Sequence, residues 1–82
     1  MKVDVGATYE KVLEWPAGTV VTFVVLAETT AKTVRWNESG PGYRLLVLAV
    51  EGKVNSVVNF TAGEICAFPC TANFFTKLKR LT

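Results

Sequence analysis

Two long apolar runs dominate the pattern of hydrophobic and polar positions along the chain: TVVTFVVLAETT at 19–30 and YRLLVLAVEG at 43–52. Side chains alternate between the two faces of a β-strand. In the first run this alternation places Val21, Phe23, Val25 and Ala27 on one face and Val20, Val24 and Leu26 on the other. In the second run it places Tyr43, Leu45, Val47 and Ala49 opposite Leu46, Leu48 and Val50. Because both faces are apolar, we expect both to be covered, by a second sheet, a barrel wall or a neighbouring subunit.

Turn signals divide the chain into short segments rich in valine and threonine. They are WPAG at 15–18, ESGPG at 38–42, EGK at 51–53 and TAGE at 61–64. Short β-branched runs between such turns are typical of antiparallel sheets. The sequence therefore predicts an all-β fold, a small antiparallel β-barrel or β-sandwich of about six strands. At 82 residues the chain is expected to form one domain, 1–82.

Three other segments are less uniform. ATYEKVLEW fits a helix or a strand, and the strand would place Tyr9, Leu13 and Trp15 on one face. TVRWN at 33–37 alternates and predicts a strand that borders solvent. The final NFFTKLKRLT predicts an edge strand whose basic residues discourage pairing with other edges: Lys77, Lys79 and Arg80.

Composition changes this picture by suggesting a partner. Half of the residues are hydrophobic, 20% are charged, and the mean hydropathy is +0.31. A short chain has much surface to keep wet, and large apolar patches seldom remain exposed. We therefore expect a homo-oligomer or larger assembly whose interface contains Val20, Val24, Leu26, Leu46, Leu48 and Val50.

The charge balance leaves nucleic acid as an alternative partner. A small barrel could stack bases on Trp15, Tyr43, Phe74 or Phe75. It could follow the phosphates with Arg35, Arg44, Lys77, Lys79 and Arg80. The net charge is only +2, so assembly is favoured over nucleic-acid binding. An inhibitor of another protein is a third reading that no sequence feature separates from assembly.

The stretch ICAFPC holds both cysteines, Cys66 and Cys70. In a strand they would lie roughly 13 Å apart, beyond the reach of a disulfide. A sharp bend at Pro69 would be needed to bridge them, and a zinc site would have to be shared across a dimer, because the chain has no histidine. We expect both cysteines to be buried packing residues.

Catalytic chemistry finds little support in the residues. With no histidine, a general base would have to be a carboxylate, lysine, tyrosine or thiolate with a shifted pKa. Phosphate-binding and nucleophile-elbow motifs are absent from the sequence. The expectation is a protein that is not an enzyme and uses no cofactor or metal.

The sequence also gives expectations about localisation. MKVDVGATYE lacks the apolar core of a signal peptide. No apolar run is long enough for a membrane-spanning helix. We expect the chain to be made in a cytoplasm and to have no membrane partner.

One segment resembles a known group of proteins. VNFTAGEICAF at 58–68 is similar to a turn and strand near the C-terminus of small head-associated and decoration-type proteins of tailed bacteriophages. Alanine and phenylalanine follow Cys66 where that group commonly has a proline, and CTANFFTKLKR lacks its usual Gly-Thr-rich turn. The resemblance implies a structural role in a virion, in many copies, and carries over no catalytic residue.

Overall fold

The computed structural model describes residues 3–14, 17–32, 39–52 and 60–82. Trp15, Arg35 and the strand expected at 33–37 lie outside these ranges. The strands are β1 (Thr8–Val12), β2 (Val20–Lys32), β3 (Ser39–Glu51), β4 (Ile65–Pro69) and β5 (Lys79–Arg80). The one helical element of the described residues is a 3₁₀ turn at Asn73–Phe75, and no helix there is long and apolar enough to cross a membrane.

The strands form a single open antiparallel sheet in the order β4-β3-β2-β1-β5. The all-β prediction is therefore confirmed. The closed barrel is wrong, because β4 and β5 end the sheet at opposite edges and do not pair. The described ranges contain five strands in one sheet, without the second sheet of a sandwich. Within ATYEKVLEW, Thr8–Val12 form a strand, β1, rather than a helix.

Two β-bulges interrupt the pairing of β2 with β3. Phe23 pairs with Val47 while Thr22 pairs with Ala49, which leaves Leu48 as the extra residue on β3. In the same way Leu26 is the extra residue on β2, between the pairs that Val25 and Ala27 make. A bulge bends its strand and shifts the alternation of faces by one residue. The strict alternation predicted from the sequence therefore fails at both positions.

The core lies against one side of the sheet, which we call the inner face. Val21, Phe23, Val25 and Leu45 are fully buried there. The segment around the 3₁₀ turn covers them: Phe74 and Phe75 join Phe23, Tyr43, Phe60 and Phe68 in an aromatic cluster. Ring centroids in this cluster are as close as 4.7 Å, between Phe68 and Phe74. Each aromatic side chain buries a large area. A short turn therefore covers a face for which the sequence predicted cover by a second layer.

The C-terminal segment differs from its prediction. NFFTKLKRLT was expected to be one edge strand, but residues 73–75 form the 3₁₀ turn and only Lys79–Arg80 pairs with β1. Lys77 lies between them with φ 53°, a left-handed conformation that interrupts any extended strand. Burial of Phe75, which is 2% exposed, stabilises this bent path against a straight strand.

Candidate functional site

The outer face of the sheet carries a row of apolar side chains across three strands. Ile65 of β4 pairs with Leu46 of β3, and Leu46 pairs with Val24 of β2. Paired residues in an antiparallel sheet share a face, so these three side chains lie side by side. Leu46 and Val24 are half-buried and Ile65 is 61% exposed. The row therefore presents apolar surface to solvent.

The bulges add two exposed leucines to this surface. Leu26 is 39% exposed and Leu48 is 46% exposed. Neither packs against the core cluster. We use the name outer apolar patch for these two leucines, the apolar row and Val20, which lies on the same face of β2: Val20, Val24, Leu26, Leu46, Leu48 and Ile65.

Val50 is the one predicted interface residue on the other side of the sheet. It pairs with the fully buried Val21 and packs against the core cluster. The assignment of Val50 to the same face as Leu46 and Leu48 is thus wrong. The extra residue Leu48 reverses the facing of the residues that follow it, a shift that alternation along the sequence does not reveal. The bulge at Leu26 has the same effect on Ala27, which pairs with the exposed Arg44.

The predicted basic edge is spread along a bent segment. Lys77, Lys79 and Arg80 are all exposed, but only the last two belong to β5. Arg80 Nη1 forms an ion pair with Asp4 Oδ2. Both side chains are more than half exposed, so this pair contributes little to stability. Its effect is to join the N-terminal segment to the edge of the sheet.

The aromatic residues proposed for base stacking lie mainly in the core. Tyr43 is 7% exposed and Phe75 is 2% exposed. Phe74 is half-buried and stacks on Phe68 at a centroid distance of 4.7 Å. Arg44 is exposed on the outer face, where its neighbour in register is Ala67. Among the described residues these aromatic and basic side chains do not form one joint surface.

Both cysteines are free thiols and half-buried. Burial raises the pKa of the Cys66 thiol, and the Glu64 carboxylate raises it further. Cys66 lies in β4, and Cys70 follows the end of that strand. Cys70 contacts Tyr43, whose pKa is raised by burial and then by the charges of Cys70 and Glu28. The surroundings of Cys66 therefore do not favour the low-pKa thiolate that catalytic cysteines use.

One buried lysine was not among the residues predicted from the sequence. Lys11 is 6% exposed and its ammonium Nζ donates hydrogen bonds to the carbonyl oxygens of Thr76, at 2.6 Å, and Asn73, at 3.4 Å. A cavity of about 400 Å³ adjoins it, also lined by Leu13, Glu14 and Phe74. The prediction of ATYEKVLEW as a strand could have identified this lysine, because Lys11 would then lie between Tyr9 and Leu13 on the same face. The ammonium group fixes the turn that covers the core.

No cluster of three or more metal-ligating side chains occurs in the part of the chain that the structure describes. Comparison with protein-family models, with curated proteins and with solved structures found no match. The outer apolar patch is the candidate site, because it presents apolar side chains of three neighbouring strands to solvent.

Proposed function

We propose that this protein is a non-catalytic assembly protein that associates with copies of itself through the outer apolar patch. The observation that carries the proposal is the apolar row Ile65–Leu46–Val24, which continues into the exposed Leu26 and Leu48. Monomeric soluble proteins rarely leave contiguous apolar patches larger than a few hundred Å² exposed. Burial of this patch against a second sheet would supply the apolar area that a chain of 82 residues lacks.

Charges at the two ends of the patch favour a second copy as the partner. Arg44 and Glu51 are both exposed and lie on β3, on either side of Leu46 and Leu48. Their register partners, Ala67 and Val20, place both on the outer face. When two sheets pack face to face around a two-fold axis with the β3 strands antiparallel, Arg44 of each copy comes near Glu51 of the other. The patch is thus self-complementary in charge as well as apolar.

The setting of such an assembly is a second part of the proposal. The resemblance of residues 58–68 to head-associated and decoration-type phage proteins supports a virion lattice. In the structure residues 61–64 of this segment form a turn, with Glu64 N donating to Thr61 O, and residues 65–68 belong to β4. The virion setting rests on the resemblance alone, whereas association through the patch rests on the register and exposure of its residues.

The test is the native mass of Leu48→Asp, measured by light scattering after size exclusion at low and high salt. Burial of a half-exposed leucine contributes about 1 kcal/mol, and a carboxylate in an apolar interface costs more than that. We expect the wild type to form a discrete, salt-insensitive oligomer and Leu48→Asp to dissociate.

Val5→Asp is the matched control. Val5 is 53% exposed, close to the 46% of Leu48, but lies in a turn outside the sheet. It should keep the wild-type mass. Circular dichroism checks that both variants are folded. A folded Leu48→Asp with the wild-type mass would remove the patch from the interface.

A further inference from the structure

The two edges of the sheet differ in charge. β4 reads ICAFP and carries no charged residue, whereas β5 consists of Lys79 and Arg80. Proteins usually protect an exposed edge with lysine, proline, a bulge or a covering segment. The basic protection expected from the sequence is therefore at the β5 edge, and among the described residues β4 has only Pro69 at its end.

The backbone of β4 offers unpaired groups at this edge. Val47 N donates to Glu64 O at 2.9 Å and Cys70 N donates to Pro41 O at 3.0 Å. Alternate residues of an antiparallel strand bond to the same neighbour, so Cys66 and Phe68 bond to β3. Ile65 and Ala67 then direct their N–H and C=O groups away from β3. Within the described ranges these groups have no other hydrogen-bond partner.

We propose that β4 pairs antiparallel with β4 of a second copy around a two-fold axis, which makes one continuous sheet from two chains. A two-fold contact sets a segment against itself, so a segment whose charges all have one sign meets like charge. β4 is the neutral edge and avoids this repulsion, whereas a β5 contact would oppose Lys79 and Arg80 to their own copies.

The unpaired groups select a register for this contact. When Ile65 of one copy is opposite Ala67 of the other, each pair exchanges two hydrogen bonds and all outward N–H and C=O groups of both residues are satisfied. Cys66 then faces Cys66 of the second copy on the inner face. The two Cα atoms of such a non-hydrogen-bonded pair lie roughly 4.5 Å apart, within the range that a disulfide can span.

This edge contact uses other atoms than the face contact proposed above, so either can fail without the other. The edge contact depends on the backbone of β4, and the face contact depends on side chains such as Leu48. Ile65, at the end of the apolar row, would bring the outer apolar patches of the two copies together across the two-fold axis.

Thiol cross-linking tests the register directly. Cys70→Ser keeps only Cys66, and Cys66→Ser keeps only Cys70, so the two variants are matched in thiol number. Diamide accepts two electrons and two protons from a pair of thiols as the disulfide forms. On non-reducing gels we expect Cys70→Ser to give a covalent dimer at least tenfold faster than Cys66→Ser. In urea, where both chains are unfolded, the two rates should be equal.

The raised pKa of Cys66 makes this comparison stringent, because a raised pKa alone would slow its oxidation. Faster cross-linking through Cys66 therefore reports proximity. Equal rates in the folded proteins, a faster Cys66→Ser, or no covalent dimer from Cys70→Ser would each overturn the proposed pairing.

Ala67→Pro provides a second measurement that does not depend on thiol chemistry. It removes an outward N–H while leaving the bonds from β4 to β3, and proline is tolerated in edge strands. Ala62→Pro is the control, since Ala62 precedes Gly63 (φ 89°) in the turn before β4, a position that proline favours.

We expect Ala67→Pro to lower the native mass at least twofold and Ala62→Pro to keep it. A folded Ala67→Pro with the wild-type mass would overturn the edge contact. If Ala67→Pro lowers the mass while Leu48→Asp does not, the edge contact stands and the face contact fails. If Leu48→Asp lowers the mass while Ala67→Pro does not, the face contact stands and the edge contact fails.

Discussion

Gly42 of β3 pairs with Pro69 of β4, and an added methyl group at Gly42 should loosen the edge strand. An ideal Cβ at this position would be 2.4 Å from the carbonyl oxygen of Phe68 and 2.8 Å from Cβ of Ala31. The first of these atoms is backbone and cannot turn aside. Carbon and oxygen normally approach no closer than about 3.3 Å. Gly42→Ala therefore requires β4 to move by roughly 1 Å relative to β3.

The expected loss of stability combines two opposing effects. Overpacking with a backbone shift costs about 1–3 kcal/mol, and lengthened hydrogen bonds between β3 and β4 are part of that cost. Replacement of glycine by alanine restores about 0.4–1 kcal/mol by restricting the unfolded chain. Net destabilisation should be about 1–2 kcal/mol, which lowers Tm by about 5–15 °C in a chain of this size.

Urea denaturation of Gly42→Ala, compared with the wild type, measures this change. Ala31→Gly supplies the companion variant in a double-mutant cycle. It removes the contact at 2.8 Å but leaves the Phe68 oxygen at 2.4 Å, so the double variant should recover only part of the loss. An unfolding free energy of Gly42→Ala equal to or above that of the wild type would refute the reasoning.

Two further predictions concern the inner face and the edge strand. Lys11→Met should destabilise the fold by about 1–2 kcal/mol in chemical denaturation, because the Thr76 and Asn73 carbonyls lose their donor. Lys11→Arg keeps hydrogen-bond donors and should lose less stability. A Met variant as stable as the wild type would contradict the role of the ammonium group. In Cys70→Ser, alkylation of Cys66 by iodoacetamide should rise with pH through a midpoint above that of the same chain in urea, because burial raises the pKa of the folded thiol. The unfolded thiol loses its proton first, so stability should fall as pH rises from the unfolded to the folded pKa; a folded midpoint at or below the unfolded one would contradict this.

The sequence predicted β2, β3 and β4 because their signals are local. The turn before Ile65 and the β-branched residues of β2 mark their elements through backbone preferences that act over a few residues. The final strand was predicted too long for a different reason. Lys77 and Lys79 fit an exposed edge, but the burial of Phe75 beneath Tyr43 is a long-range contact that bends the chain before β5.

The candidate site was predictable in composition but not in all of its members. Five of the six residues chosen by alternation lie on the outer face, while Val50 lies on the inner face and packs on the core. The difference comes from the extra residue at Leu48, since a bulge depends on pairing with β2 and has no signature in the period of β3 alone. The alternation of side chains therefore predicts the correct face within each segment between bulges, and it predicts the wrong face beyond a bulge.

The same bulges connect the fold to the proposed association. Strands that are apolar on both faces are compatible with two architectures, a closed β-structure or an open sheet with a partner. Hydrophobicity alone does not distinguish between them. The inner face is closed by aromatic residues of a short turn, so no second layer from the described ranges is needed there. What remains is Leu26 and Leu48, each exposed at a bulge beside the apolar row of the outer face. Bulges re-aim side chains, and the exposure of these two leucines supports the proposed contact with a second copy. The native mass of Leu48→Asp, compared with that of Val5→Asp, tests this contact.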